Sequence, residues 1–180
     1  ARLDRIDTSG LIDCLSGVEI VGATDVTNPL CGPTGASEIF GPQKGASKEV
    51  VAELDSALAN FARVVKRDLG VDVLDVPGAG AAGGLGAGLI AFVGGTLQSG
   101  IDMVCQVLEF DRHLEGADLV FTGEGRADKS TVFDKAPVGV ARHAMAHGVP
   151  SILLAGSLGE GHEELYEHGV ASILCISEAT

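Results

Sequence analysis

Residues with the types and spacing that chemistry needs fall in three stretches of this sequence. The densest is Thr122-Gly123-Glu124-Gly125-Arg126-Ala127-Asp128, which sets an acid, a guanidinium and a second acid directly after the apolar run Ala117–Phe121. Such a set could hold Mg2+ through Asp128 or Glu124, grip a phosphate through Arg126, and take a proton from a hydroxyl. Lys129 and Lys135 follow closely and either could reach a phosphate. The competing reading is a surface turn whose charges satisfy one another, with both lysines solvated.

The second stretch is Pro77-Gly78-Ala79-Gly80-Ala81-Ala82-Gly83-Gly84-Leu85-Gly86-Ala87-Gly88, in which six of twelve residues are glycine. With almost no side chains it offers bare backbone N–H groups and permits φ angles that other residues avoid. Placed before a helix it could cradle an anion; close packing of backbone on backbone would need the same small residues. Gly78-x-Gly80-x-x-Gly83 also matches a dinucleotide fingerprint, with Asp102 lying 19 residues beyond Gly83 where a ribose-binding acid is expected. The third stretch holds Asp25 and Asn28 on a loop with Pro29, and Lys44 between Pro42 and Gly45. Turn capping and a solvated lysine are the plainer readings there. His143 and His147 are spaced i, i+4, but no acidic third ligand accompanies them in the sequence, and Ser157 lacks a Gly-x-Ser-x-Gly elbow. No P-loop occurs.

The elements that must position these groups can be read from periodicity and punctuation. Val18–Ala23 reads as a strand, and Ala36–Phe40 as a helical turn. Ser47 is a plausible N-cap for a helix from Lys48 to Leu69, with Val50, Val51, Leu54, Leu58, Phe61, Val64 and Val65 on one face and Gly70 closing it. Val71–Val76 reads as a weak strand entering the glycine run, followed by a helix over Leu85–Leu97 and another over Asp102–Leu114. Beyond Glu115 come a strand Ala117–Phe121 with a polar loop Thr122–Asp128, a helix from Pro137 to His147, a strand Ser151–Ala155, a short helix Glu163–His168, and a strand Ala171–Ile176. This β-α-β-α-β alternation implies a parallel sheet with ligands at the carboxyl ends of its strands. The expected class is α/β, with a domain over 1–115 that carries the glycine run and a parallel-sheet domain over 116–180.

Composition bounds the partners. The 180 residues carry 46% hydrophobic and 21% charged residues and a formal net charge of −13, which fits a globular chain and disfavours nucleic acid and anionic membranes as partners. No apolar run is long enough for a membrane span. Cys14, Cys31, Cys105 and Cys175 are scattered and read as buried free thiols in a reducing, cytoplasmic setting. No signal peptide is apparent, and both ends read as cuts through a longer polypeptide.

Several segments together resemble the bacterial glycerate kinase family (type I, the glycerate 2-kinases). They are Asp25-Val26-Thr27-Asn28-Pro29-Leu30 with Gly32-Pro33, Phe40-Gly41-Pro42-Gln43-Lys44-Gly45-Ala46, the Pro77–Ala87 run, Ala117–Arg126, and Lys135-Ala136-Pro137-Val138-Gly139-Val140-Ala141. Their order and spacing agree with the family over nearly the whole chain. The family usually carries Gln where this chain has Ser130 and Gly where it has Asp134, and its opening strand and loop and its C-terminal part lie outside this sequence.

The resemblance implies ATP- and Mg2+-dependent phosphorylation of D-glycerate at the 2-hydroxyl, and two α/β domains, one inserted in the other, with the site in the cleft between them. The second would be flavodoxin-like. On this reading Asp128 and Glu124 hold Mg2+ or take the hydroxyl proton, and Arg126 and Lys44 steady the transferring phosphoryl group. Gly78, Gly80, Gly83 and Gly84, with Asp25, Asn28 and Lys135, line the nucleotide and substrate sites. A homo-oligomer is admitted. Two other classes stay open: a nicotinamide-dependent oxidoreductase using the same glycines, and an inactive binding fragment.

Overall fold

The computed structural model describes residues 3–11, 15, 17–132 and 135–177, so Cys14 and Asp134 lie outside the described residues. It is α/β, with a two-stranded and a three-stranded sheet, both parallel. Contacts divide the chain into two compact units, Ala1–Gln98 and Ser99–Thr180. Gly116, where the sequence suggested a boundary, falls inside the second.

In the first unit, strand β1 (Val21–Ala23) pairs in parallel with β2 (Thr96–Gln98). Helix α1 (Ala36–Phe40) leads through a 3-10 turn, Pro42–Lys44, to α2 (Lys48–Leu69). The long helix has the predicted bounds because its signals are local. The Ser47 side chain accepts from the Val50 N–H at 3.4 Å, and Gly70 closes the helix at φ 73°. Val51, Ala62, Val64 and Val65 are buried, whereas Val50 and Leu54 are nearly half exposed. Val65 and Ala62 join Leu30, Val73, Ala79 and Ala87 in the core.

Two expectations for this unit fail. Val71–Val76 is not a strand: the Leu74 carbonyl accepts the Leu30 N–H, but no ladder forms there. The helix after the glycine run, α3, covers only Leu85–Val93, because Gly94 turns left-handed at φ 62° and the chain re-emerges as β2. A pair of glycines inside an apolar run is a stop signal that hydrophobic periodicity alone overrides.

Asp68, near the end of α2, anchors the chain's beginning. Its carboxylate takes two hydrogen bonds from the Arg67 guanidinium, at 2.6 and 2.9 Å, and one from the Ile6 N–H at 2.8 Å. These hold the carboxyl down to about 2, Arg67 being the larger cause. A carboxylate with a depressed folded pKa stabilises the fold above its ordinary range, and that contribution fades as pH falls from about 4 toward about 2. The protection factor of the Ile6 amide, the intrinsic exchange rate at each pH over the observed one, is therefore expected to fall over that window in the wild type. In Asp68→Ala that protection should already be lost at pH 6; an Ile6 amide protected as in the wild type would refute the anchor.

In the second unit, α4 (Gly100–Val107) and α5 (Phe110–Leu114) replace the single predicted helix. Glu109 breaks it at φ 49°, a left-handed position in which the helical ladder cannot continue. Next come β3 (Val120–Ala127), α6 (Ala136–Ala146), β4 (Ser151–Leu158), a 3-10 segment His162–His168 and β5 (Ser172–Cys175). The sheet runs in the order β3-β4-β5, and its strands are parallel, as the alternation of strand and helix predicted. Leu153 and Ala155 of β4 are fully buried with Ala141 and Val138 of α6 and with Leu165. Pro137 is the second residue of α6 rather than its first; its missing N–H costs nothing there.

The stretch Thr122–Asp128 is not a loop. β3 continues through it to Ala127, paired with β4 at Glu124↔Ala155, Arg126↔Ser157 and Ala127↔Leu158. Gly156-Ser157-Leu158 belongs likewise to β4. Glycine makes this close pairing feasible, since a Cβ at Gly156 would lie 2.6 Å from the Gly125 carbonyl oxygen.

Candidate functional site

At the carboxyl end of β3 the chain leaves the sheet through Asp128 into a 3-10 turn, Lys129–Val132. The turn is over-determined. The Thr131 side chain is completely buried and its hydroxyl accepts the Asp128 N–H at 3.2 Å, while the Asp128 carbonyl accepts the Thr131 N–H at 2.8 Å. Asp128 Oδ1 accepts from both the backbone N–H and the hydroxyl of Ser130, at 2.8 and 2.6 Å. Its Oδ2 lies 3.3 Å from Arg126 Nε. Lys135, the N-cap residue of α6, donates from Nζ to Ser130 Oγ at 3.0 Å. The Ser130 hydrogen bonds, and after them the Lys135 and Arg126 charges, hold the Asp128 carboxyl below the usual carboxylate range.

Parallel pairing thus gathers Arg126, Asp128 and Lys135 at one strand end. Glu124 stays on β3, where its Oε1 accepts the Gly125 N–H at 3.1 Å. The Arg126 side chain is 68% exposed, so its charge is presented outward. Gly159, just past β4, closes the other side: its N–H donates to the Ala127 carbonyl, and a Cβ there would come within 2.7 Å of Asp128 Cβ and 3.0 Å of Arg126 Nε. Sequence reasoning assigned no part to Ser130, Thr131 or Gly159. The Asp-x-Ser-Thr pattern over 128–131 was a legible turn signal; the need for glycine at 159 arises only from the neighbouring strand.

A second set of candidates meets in the first unit. Lys44 and Gly83 line one cavity of about 260 Å3 with Ser37, Phe40, Leu54 and Leu58 among the other walls. Most of its lining is apolar, and Lys44 is the cation among those residues. Asn28 joins the loop before α1 to the glycine run: its Nδ2 donates to the Thr34 carbonyl at 2.8 Å, and its own carbonyl accepts the Gly80 N–H at 3.0 Å. Asp25 is exposed on the same loop.

The run itself divides between both of its readings. The N–H groups of Ala79, Gly80, Ala81, Gly83, Gly84, Ala87 and Gly88 are all donated to carbonyls of the chain, so these amides serve the fold. A Cβ at Gly80 would run into the Pro29 carbonyl oxygen, and one at Gly86 into that of Gly78. Gly78 is left-handed at φ 82° and would press on Thr24. Gly84, at φ 101°, sits against Leu30 and Leu58. Gly83, at φ 74°, faces open space at the cavity with Lys44, and Gly88 also faces open space.

Other candidates resolve into structure. No strand leads into Gly78, and the Asp102 carboxylate is engaged by Arg142 at 2.5 Å and His143 Nε2 at 3.2 Å. The strand-turn-helix setting that a dinucleotide fingerprint requires is therefore missing. His143 and His147 do have acidic neighbours, contrary to the sequence reading: Asp111 lies 2.7 Å from His143 Nδ1 and 3.5 Å from His147 Nε2. Helix packing brings Asp102 and Asp111 there from α4 and α5. Among the described residues no group of three or more His, Cys, Asp or Glu could hold a metal ion. Cys31, Cys105 and Cys175 are free thiols, but only Cys105 is buried and Cys175 is exposed. Burial pushes the Cys31 thiol up to about 11, helped by Asp55 and Asp75. Among the described residues no helix is long and apolar enough to cross a membrane.

Fold and cluster define a parallel α/β chain with cations and a carboxylate gathered at the carboxyl edge of its sheet. The chain belongs to the glycerate kinase family, whose model matches residues 1–180. It is 49% identical to the glycerate kinase of Halalkalibacterium halodurans, over 94% of this chain and 44% of the relative. To the glycerate 2-kinase of Escherichia coli K12 it is 48% identical, over 97% and 46%. The crystal structure of "putative glycerate kinase 2" from Salmonella typhimurium LT2 superimposes with a TM-score of 0.76 at 48% identity, over 96% of this chain and 44% of that one. The chain thus spans less than half the length of these relatives.

Proposed function

We propose that this chain is part of an enzyme that phosphorylates D-glycerate at its 2-hydroxyl, with ATP as donor and Mg2+ as cofactor. The observation that carries the reading is the Arg126–Asp128–Ser130–Lys135 cluster at the sheet edge, in a chain of this family. ATP with Mg2+ supplies the transferable phosphoryl group and neutralises its charge when bound.

The residues fit those ligands. Mg2+ is usually held by one or two carboxylates and completed by water and phosphate oxygens, and Asp128 supplies a carboxylate at the sheet edge beside two cations. Asp128 is the group to hold that ion or to accept the hydroxyl proton; Glu124 lies four residues back on β3, where its carboxylate accepts the Gly125 N–H, and is the second candidate for the ion. Arg126 and Lys135 present positive charge to phosphate oxygens, and a guanidinium does so through two parallel N–H donors. Lys44 and the open edge at Gly83 offer a second anion position, for the glycerate carboxylate or a phosphate. Gly78, Gly80, Gly84 and Asn28 shape the backbone of the run next to it, and Asp25, exposed on the loop that Asn28 ties to that run, is a further candidate for the ligand. Positioning and charge supply most of the catalysis in such transfers. A small-molecule reaction in a reducing, cytoplasmic setting accompanies the reading.

The test is a coupled ADP-release assay with D-glycerate on the natural polypeptide, with phosphorus NMR to identify the product. Release that depends on D-glycerate, ATP and Mg2+ and yields 2-phosphoglycerate is expected. Formation of 3-phosphoglycerate would overturn the regiochemistry, and no D-glycerate-dependent release would overturn the kinase. The same assay on the 180-residue chain decides whether this part acts alone or only binds.

A further inference from the structure

The Ser130 hydroxyl occupies a position that neither the charge pattern nor the glycine run accounts for. It donates to Asp128 Oδ1 at 2.6 Å and accepts from Lys135 Nζ at 3.0 Å, so its one proton and one of its lone pairs are both committed. Ser130 is itself fixed. Its N–H donates to the same Asp128 oxygen at 2.8 Å, and it stands in the 3-10 turn whose next residue, Thr131, is fully buried. Lys135 has only its backbone fixed, as the N-cap residue of α6. Its four-carbon stem is flexible and its ammonium is a compact point charge, so without a partner the charge would be spread over many rotamers.

We propose that Ser130 is a positioning residue of this site: it ties the Lys135 ammonium to the Asp128 turn and so holds that cation at the sheet edge before a phosphate-bearing ligand arrives. This rests on the kinase reading above for the identity of the ligand. The tie acts mainly on binding. A lysine already ordered loses less freedom when a phosphate meets it, and immobilising a long side chain is one of the recurrent costs of association.

Ser130→Ala in the natural polypeptide is expected to raise KM for ATP about five-fold, with KM for D-glycerate and the thermal midpoint unchanged. Ser130→Thr, which keeps the hydroxyl, should restore KM. In a Lys135→Met background Ser130→Ala should add nothing, because coupled residues are non-additive. A fall in kcat at unchanged KM, or the same rise in KM with and without Lys135, would overturn the proposal. A second readout does not depend on turnover. Acylation of Lys135 by an amine-selective reagent, followed by peptide mass spectrometry without nucleotide, should be about five-fold faster in Ser130→Ala and unchanged in Ser130→Thr. Equal reactivity in wild type and Ser130→Ala overturns the tie even if glycerate is phosphorylated. A wild type that phosphorylates no D-glycerate overturns the kinase reading alone, and the reactivity comparison still decides the tie.

Discussion

Asp128→Ala in the natural polypeptide is expected to lower kcat for D-glycerate by about 10^3-fold while leaving the thermal midpoint within a few degrees of wild type. The reason lies in the site's construction. Asp128 is the carboxylate on which Arg126, Ser130 and, through Ser130, Lys135 converge. Removing a general base typically costs 10^2 to 10^4-fold, about the size expected here. The fold should tolerate the change, because the buried part of the turn is Thr131 and its backbone bonds to residue 128 involve main-chain atoms on the Asp128 side. Asp128→Asn sharpens the result. An amide keeps acceptor capacity toward Ser130 but can neither take a proton at neutral pH nor offer a full negative charge to a cation. A near-normal rate in Asp128→Ala would remove Asp128 from the machinery. A near-normal rate in Asp128→Asn alone would reduce it to a hydrogen-bonding part.

Gly80→Ala is expected to cost about 3 kcal/mol of stability, at the upper end of what overpacking costs. The methyl group would run into the Pro29 carbonyl oxygen and lie 3.1 Å from that of Asn28, and both obstacles are backbone. The Gly80 N–H bond to the Asn28 carbonyl would be lost with the displacement. Gly88→Ala is the matched comparison. It lies inside α3 with nothing within 4 Å of the added carbon, and Ala in a helix interior is favoured over Gly by roughly 1 kcal/mol. Urea midpoints for the two variants should therefore move in opposite directions. A neutral Gly80→Ala would mean that the loop over 28–29 does not bear on the run, and a destabilised Gly88→Ala would mean that its open face is covered.

The elements that were legible from the sequence carry their instructions in neighbouring residues. Helix α2 has its cap at Ser47, its dipole-matched ends and its left-handed closing glycine all within the segment. The parallel direction of β3, β4 and β5 followed from alternation of strand and helix, since a crossover of that length leaves little choice of direction. The misread elements depend on distant partners. Thr122–Asp128 looks like a loop because glycine and charge alternate there, but hydrogen bonds to β4 make most of it strand. Thr96–Gln98 looks like the end of a helix because nothing local reveals that Val21–Ala23 stands ready to pair with it.

The same division runs through the site. Residue types and order alone singled out Glu124, Arg126 and Asp128, the lysines around them, and the glycine run, because phosphate chemistry demands those side chains and that backbone. The sequence also determined the family, since several motifs recur in one order. Tertiary structure decided which of them meet. It set Arg126 directly against Asp128, linked Lys135 to Asp128 through Ser130, and set Lys44 at a cavity with Gly83. It used most of the glycine run's amides for the fold. The physical reason is that side-chain chemistry is written residue by residue, whereas the partner of a hydrogen bond is chosen by the path the backbone takes between distant strands and turns.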